Sequence, residues 1–132
     1  MFETLNSPVQ KINFAPFSNL WVKRDDLIEP YISGNKWRKL KYILADASSK
    51  GKTHLVTFGG AFSNHLVATA AAAARINLQS TAFVRGEEVK NEMLILCRLF
   101  GMRLIFTDRE SYRNKPALFQ QYFAHDLSAF FI

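Results

Sequence analysis

The chain has 132 residues, 48% of them hydrophobic and 21% charged, with a formal net charge of +6. That balance suits about one folded domain and excludes a disordered tail or a fibre. No apolar run approaches the roughly 18 residues that a membrane-spanning helix needs, MFETLNSPVQ lacks the basic and apolar regions of a signal peptide, and one Cys excludes a disulfide framework within the chain, so a cytoplasmic protein is expected.

Residues 1–35 hold one candidate strand, 19–23, several turns and no helical pattern, and read as an extended arm. A helix follows over 36–50 (KWRKLKYILADASSK), where Leu40, Ile43, Leu44 and Ala47 recur at i, i+3, i+4 and i+7 and Gly51 supplies a stop. Beyond it, apolar runs that read as strands begin at Thr53 (THLVTF), Ser80 (STAFV), Arg103 (RLIFT) and Ser128 (SAFFI). Helical patterns lie between them. Residues 64–75 are rich in Ala, the best helix former; 90–100 gather Met93, Leu94, Leu96, Cys97 and Phe100 on one face; 116–125 open on Pro116, which suits a first helical turn. Strand–helix units at this repeat predict right-handed crossovers in a parallel sheet of about four strands with helices on both faces, an α/β fold. SAFFI is a core-like strand pattern where polar, exposed residues are usual, so the chain is expected to be truncated relative to a complete fold.

The charge is concentrated. Lys36, Arg38, Lys39, Lys41, Lys50 and Lys52 face only Asp46 in residues 36–52, and the rest of the chain is near neutral. Only Trp37 and Tyr42 lie near these bases, so the interleaved aromatics of a single-strand nucleic-acid platform are missing. A small anionic ligand or a solvated helix face accounts for the cluster, and no nucleic-acid partner is expected. His54, His65 and His125 are far apart in sequence and one Cys is too few for structural zinc, so no metal site is expected. Cys97 reads as core, and Arg24-Asp25-Asp26 reads as a solvated turn or a charged site edge.

Two segments could carry chemistry. In SGNKWRKL (33–40), turn residues precede a helix that opens at or near Lys36. The N-terminal end of a helix disfavours positive charge, which suits a lysine that must react as a neutral amine. The same pattern also describes an ordinary basic amphipathic helix. In TFGGAFSNHLVATAAAAA (57–74), a strand runs into Gly59-Gly60, then Ser63-Asn64-His65, then a helix. Glycines there let backbone approach a ligand, and the following N–H groups favour an anion. Ser63 and Asn64 would equally serve as plain helix caps.

Taken together, KRDDL (23–27), SGNKWRKL (33–40), LADA (44–47), LVTFGGAFSNH (55–65) and ATAAAAA (68–74), followed by Arg85-Gly86 and Asn91-Glu92-Met93-Leu94, resemble the 1-aminocyclopropane-1-carboxylate deaminase and D-cysteine desulfhydrase family. The resemblance implies the fold of the tryptophan synthase β-subunit group, pyridoxal 5'-phosphate as cofactor and a small amino acid as substrate. The reaction would be opening and deamination of the cyclopropane substrate to a keto acid and ammonia, or release of sulfide, pyruvate and ammonia from D-cysteine. It implies Lys36 as the lysine that binds the cofactor covalently and later acts as base. Ser63 would assist proton transfer and hold the substrate carboxylate, Asn64 would hydrogen-bond the cofactor's 3′-oxygen, and His65 would line the same substrate-binding loop. Lys39 falls on the family's second lysine.

The resemblance also implies a chain more than twice this long, whose glycine-rich phosphate cup, acidic partner of the pyridine nitrogen and substrate-side tyrosines lie in the later part. Residues 1–35 would then be an arm of the large domain and 36–132 the small α/β domain, and the chain alone would be inactive or nearly so. The competing expectation is a truncated or split-gene product that acts by pairing with another chain, as a homo-oligomer or with a complementing C-terminal partner.

Overall fold

The computed structural model describes residues 6–132. The chain begins with an antiparallel hairpin, β1 (Val9–Phe14) and β2 (Phe17–Lys23), and a 3-10 turn at Asp25–Leu27. Next come α1 (Gly34–Ser49), β3 (His54–Gly60), α2 (Asn64–Arg75), β4 (Gln79–Arg85), α3 (Glu92–Leu99), β5 (Arg103–Thr107), α4 (Lys115–Phe123) and β6 (Ala129–Phe131). The four strands β3 to β6 form one parallel sheet in the order β5-β4-β3-β6. This is the expected α/β architecture, with all four sheet strands and all four helices at the anticipated places.

The handedness rule explains the layers. The sheet grows in one direction from β3 through β4 to β5, so the crossovers through α2 and α3 fall on one face. The connection from β5 returns past both to the far side of β3, and a right-handed crossover in that direction puts α4 on the opposite face. Alternation along the strands follows. Leu55, Ala82, Val84 and the half-buried Leu104 and Phe106 meet α1, α2 and α3. Val56, Phe58, Phe83 and Ala129 meet Leu118 and Phe123 of α4. The α4 side is aromatic: Phe83 stacks on Phe58 at 4.8 Å and meets the edges of Tyr122 and Phe123 at 5.2 and 6.2 Å. At the opposite end of the strands, His54 hydrogen-bonds Asp126 at 3.0 Å and Thr81 at 2.9 Å, tying β3 to its neighbours on both sides.

The leading residues carry more structure than the single strand expected of them. VQKINF pairs with FSNLWVK along both strands, yet neither face of the hairpin is buried. The hairpin is linked onward through Asp25, whose carboxylate accepts from Ser7 Oγ at 2.5 Å, from Arg38 Nε at 2.8 Å and from Arg38 Nη2 at 2.9 Å. The KRDDL and SGNKWRKL segments are thus physically joined. The Arg38 and Ser7 hydrogen bonds hold the Asp25 carboxyl down at about 2. Its contribution to folding is therefore complete above the ordinary carboxylate range and is lost as pH falls toward that value. Among the described residues no helix is long and apolar enough to cross a membrane.

Because Phe83 is fully buried at the centre of the aromatic cluster, Phe83→Ala is expected to remove about 3–5 kcal/mol of unfolding free energy. Urea denaturation monitored by circular dichroism checks this, and a near-neutral change would show that the cluster is not the core of that face.

Candidate active site

Lys36 lies in the first turn of α1. Ser33 occupies the cap position in extended conformation, with no side-chain capping bond, and Gly34 follows at φ +59°. That left-handed backbone is strained for any residue with a side chain, so the turn into the lysine depends on glycine. Lys36 is half-buried and lines a cavity of about 490 Å³ with Pro30, Tyr31, Ser33, Gly34 and Asn35 on one side and Asn64, Val67, Met93 and Leu96 on the other. The cavity therefore receives the N-terminal turns of two helices, one bringing Lys36 and the other Asn64. These residues were expected to work together, and the fold brings them to one cavity.

Ser63, one residue before Asn64, lines a second cavity. A larger cleft of about 1180 Å³ lies over the carboxyl ends of β3, β4 and β5, lined by Gly60–Ser63, Arg85, Gly86 and Thr107–Arg109 among others. Ser63 holds the cap position of α2, but its side chain makes no capping hydrogen bond. The capping role that its position offered is not exercised, and its hydroxyl stands at the edge of the cleft.

The loop between β3 and α2 is seated closely. A Cβ at Gly59 would lie 2.8 Å from Leu66 Cγ and Cδ2 and 3.1 Å from Ser63 Cβ, so only glycine lets the helix begin this near the strand end. Asn91 fixes the same loop from α3. Its Oδ1 accepts from Leu94 N–H at 2.9 Å as a helix cap, and its Nδ2 donates to the Ala61 carbonyl at 3.0 Å. In the sequence Asn91 has no role beyond its place in the resemblance. A cap residue before an apolar helix was the available signal, but its second bond joins residues 30 apart.

His65 is half-buried beneath the loop and lines neither cavity. Its Nε2 pairs with Thr57 Oγ1 at 2.8 Å, so the ring anchors α2 to β3. Burial, then the charges of Lys36 and Lys39, lower its pKa below the ordinary value. Both lysines therefore act electrostatically on His65. Because the folded-state value is depressed, folding loses stability as pH falls from about 6.5 toward that lower value. Cys97 is fully buried in α3, and burial pushes its thiol up to about 11, which leaves it a packing residue.

A lysine opens one helix and a glycine-seated loop opens the next, both beside a parallel α/β sheet. The family described as pyridoxal-phosphate dependent enzyme matches residues 3–132, and the chain belongs to it. A Thermotoga maritima protein named "Putative 1-aminocyclopropane-1-carboxylate deaminase" is 44% identical over 102 residues, covering 76% of this chain and 33% of that protein. The mitochondrial bifunctional D-cysteine desulfhydrase/1-aminocyclopropane-1-carboxylate deaminase of Arabidopsis thaliana is 33% identical over 120 residues, covering 83% of this chain and 30% of that protein. The crystal structure of an ACC deaminase homologue matches with a TM-score of 0.82 at 28% identity, over 100% of this chain and 43% of that one. The chain thus spans about a third of the length of the curated relatives it matches.

Two outcomes check this geometry. Gly59→Ala is expected to destabilise the protein by about 1–3 kcal/mol through overpacking against Leu66, read by urea titration, and a neutral result would contradict the close seating. In an NMR titration, Lys36→Ala is expected to raise the pKa of His65, because one of the two charges depressing it is removed. An unchanged value would show that Lys36 does not face His65.

Proposed function

We propose that this chain forms the lysine-bearing part of a pyridoxal-phosphate-dependent deaminase or desulfhydrase acting on a small amino acid. The observation that carries the reading is the shared cavity of Lys36 and Asn64 at two helix N-termini. The residues present suit one side of the cofactor. An amine stands beside an amide side chain, apolar Val67, Met93 and Leu96 form a wall, and an uncapped serine hydroxyl lies one residue away from Asn64. When bound, pyridoxal phosphate supplies an electron sink for charge developing at the substrate α-carbon.

In this reading Lys36 holds the cofactor through its Nζ and, once released, takes and returns protons as a neutral amine. Asn64 would orient the cofactor by a hydrogen bond to its 3′-oxygen. Ser63 holds the substrate carboxylate and assists proton transfer, and the Ser63–His65 loop forms the substrate side, with His65 fixing it to β3. The two relatives' names support 1-aminocyclopropane-1-carboxylate or D-cysteine as substrate. Gly59 and Gly60 belong to this loop and the remaining glycines are single turn residues. A phosphate cup must therefore come from elsewhere, and the chain by itself has little or no turnover.

The hairpin favours a related reading of the organisation. Residues 1–35 serve as an arm of a larger domain and 36–132 as the small α/β domain. Val9, Phe14, Phe17 and Trp21 are each more than half exposed on the hairpin, which suits docking on further polypeptide, in the same chain or a partner.

Incubation with pyridoxal phosphate is expected to give the visible band of lysine-bound cofactor, abolished in Lys36→Ala, and borohydride reduction followed by peptide mapping should locate the label at Lys36. Label spread over exposed lysines without preference would sink the assignment. Steady turnover of either amino acid by the isolated chain would sink the claim that the site is incomplete.

A further inference from the structure

Glu29 lies between the KRDDL and SGNKWRKL segments and belongs to neither, yet it is the buried carboxylate nearest in sequence to Lys36. It is 8% exposed. Its Oε2 accepts from the backbone N–H of Tyr31 and of Ile32, both at 2.6 Å, and its Oε1 accepts from Arg75 Nη2 at 2.8 Å. Tyr31 and Ile32 precede α1 and belong to no strand, so their N–H groups have no ladder partner. Ile32 is 1% exposed in the core formed with Leu40, Leu44 and Ala68. A buried N–H there requires an acceptor, and Glu29 supplies it.

The third bond gives this arrangement its reach. Arg75 is the last residue of α2, and Asn64 is the first. The segment that enters the Lys36 helix is therefore bonded to the far end of the helix that presents Asn64. Pro30, Tyr31, Ser33 and Lys36 of that segment line the shared cavity.

We propose that Glu29 is a positioning residue for Lys36: its carboxylate fixes the Pro30–Ser33 wall and locks the lysine's helix to the helix that carries Asn64. The role rests on Lys36 being the reactive amine. Glu29 touches neither cofactor nor substrate in this role; it sets where the amine stands. Misplacement by a fraction of an ångström is enough to lower the efficiency of a group that must meet a reacting atom.

Hydrogen–deuterium exchange on the full chain tests the role without cofactor. In Glu29→Ala the Ile32 amide is expected to lose protection about tenfold, the factor of one net hydrogen bond near the upper end of the ordinary range, while the β3 amides of Leu55 and Val56 keep theirs. Acylation of Lys36, measured against exposed Lys41, is expected to change several-fold in the same variant. Glu29→Gln retains an oxygen for both backbone donors but loses the charge pair with Arg75. It should restore Ile32 protection and leave the Lys36 ratio altered, and it also serves if the alanine variant is too unstable to study. Unchanged Ile32 protection and an unchanged Lys36 ratio would overturn the proposal. Equal loss of protection at Ile32 and the β3 amides would overturn it too, since Glu29 would then act on global stability alone. Failure of pyridoxal phosphate to label Lys36 in the unaltered protein would refute the proposed function, and neither of these readouts depends on it.

Discussion

The site is built on the missing side chain at Gly59. Leu66 occupies the space that a Cβ would need, so α2 starts directly against the carboxyl end of β3 instead of a turn farther away. That closeness makes the Ser63–His65 corner tight enough to be held from two sides. Thr57 reaches His65 from the strand below, and Asn91 reaches the Ala61 carbonyl from the neighbouring helix. Ser63 and Asn64 then face different cavities although they are adjacent in sequence. A looser corner would leave both hydrogen-bonding groups on mobile backbone.

The second requirement is that α2 behave as a rod. Leu66 through Ala73 are all buried, and most are alanines, which let α1, α3 and the sheet come close on several sides at once. Long side chains would push these layers apart. A helix held this way transmits a displacement at one end to the other, so a contact at Arg75 bears on the position of Asn64. The aromatic face opposite has a different task. It packs against α4 and Tyr112, and large rings fill the width that several helices fill on the other side.

Much of this was legible in the sequence because both faces of the sheet are covered. Uninterrupted apolar runs such as HLVTF and TAFV, separated by helical patterns, leave few other folds. The N-terminal hairpin was half missed for the opposite reason. VQKINF buries neither face, so it carries no one-sided apolar alternation, and its strand is defined by backbone pairing with FSNLWVK. Lys36 and Asn64 could be singled out as candidates because each lies in a short contiguous motif, and the fold places both at one cavity. Ser63 could be singled out as a candidate but its capping state could not, since cap residues and exposed hydroxyls have the same spelling. Glu29 with Arg75 was invisible: the partners lie 46 residues apart, and only the fold brings them together. The same holds for Asp25 and Arg38, whose exposed-looking RDD turn concealed a bidentate bond to the helix of Lys36.

The reversal of sheet direction after β5 also sets an order of assembly. By residue 107 the chain holds three adjacent strands and the three helices of one face, joined by local crossovers. At that stage the other face, with Val56, Phe58 and Phe83, is open to water. Closing it requires α4 to pass across the sheet and β6 to pair with β3, a pairing of residues about 75 positions apart. During synthesis from the N-terminus, an aromatic surface is therefore exposed for as long as that returning segment takes to emerge. The vulnerable interval for aggregation falls late, after most of the secondary structure can already have formed.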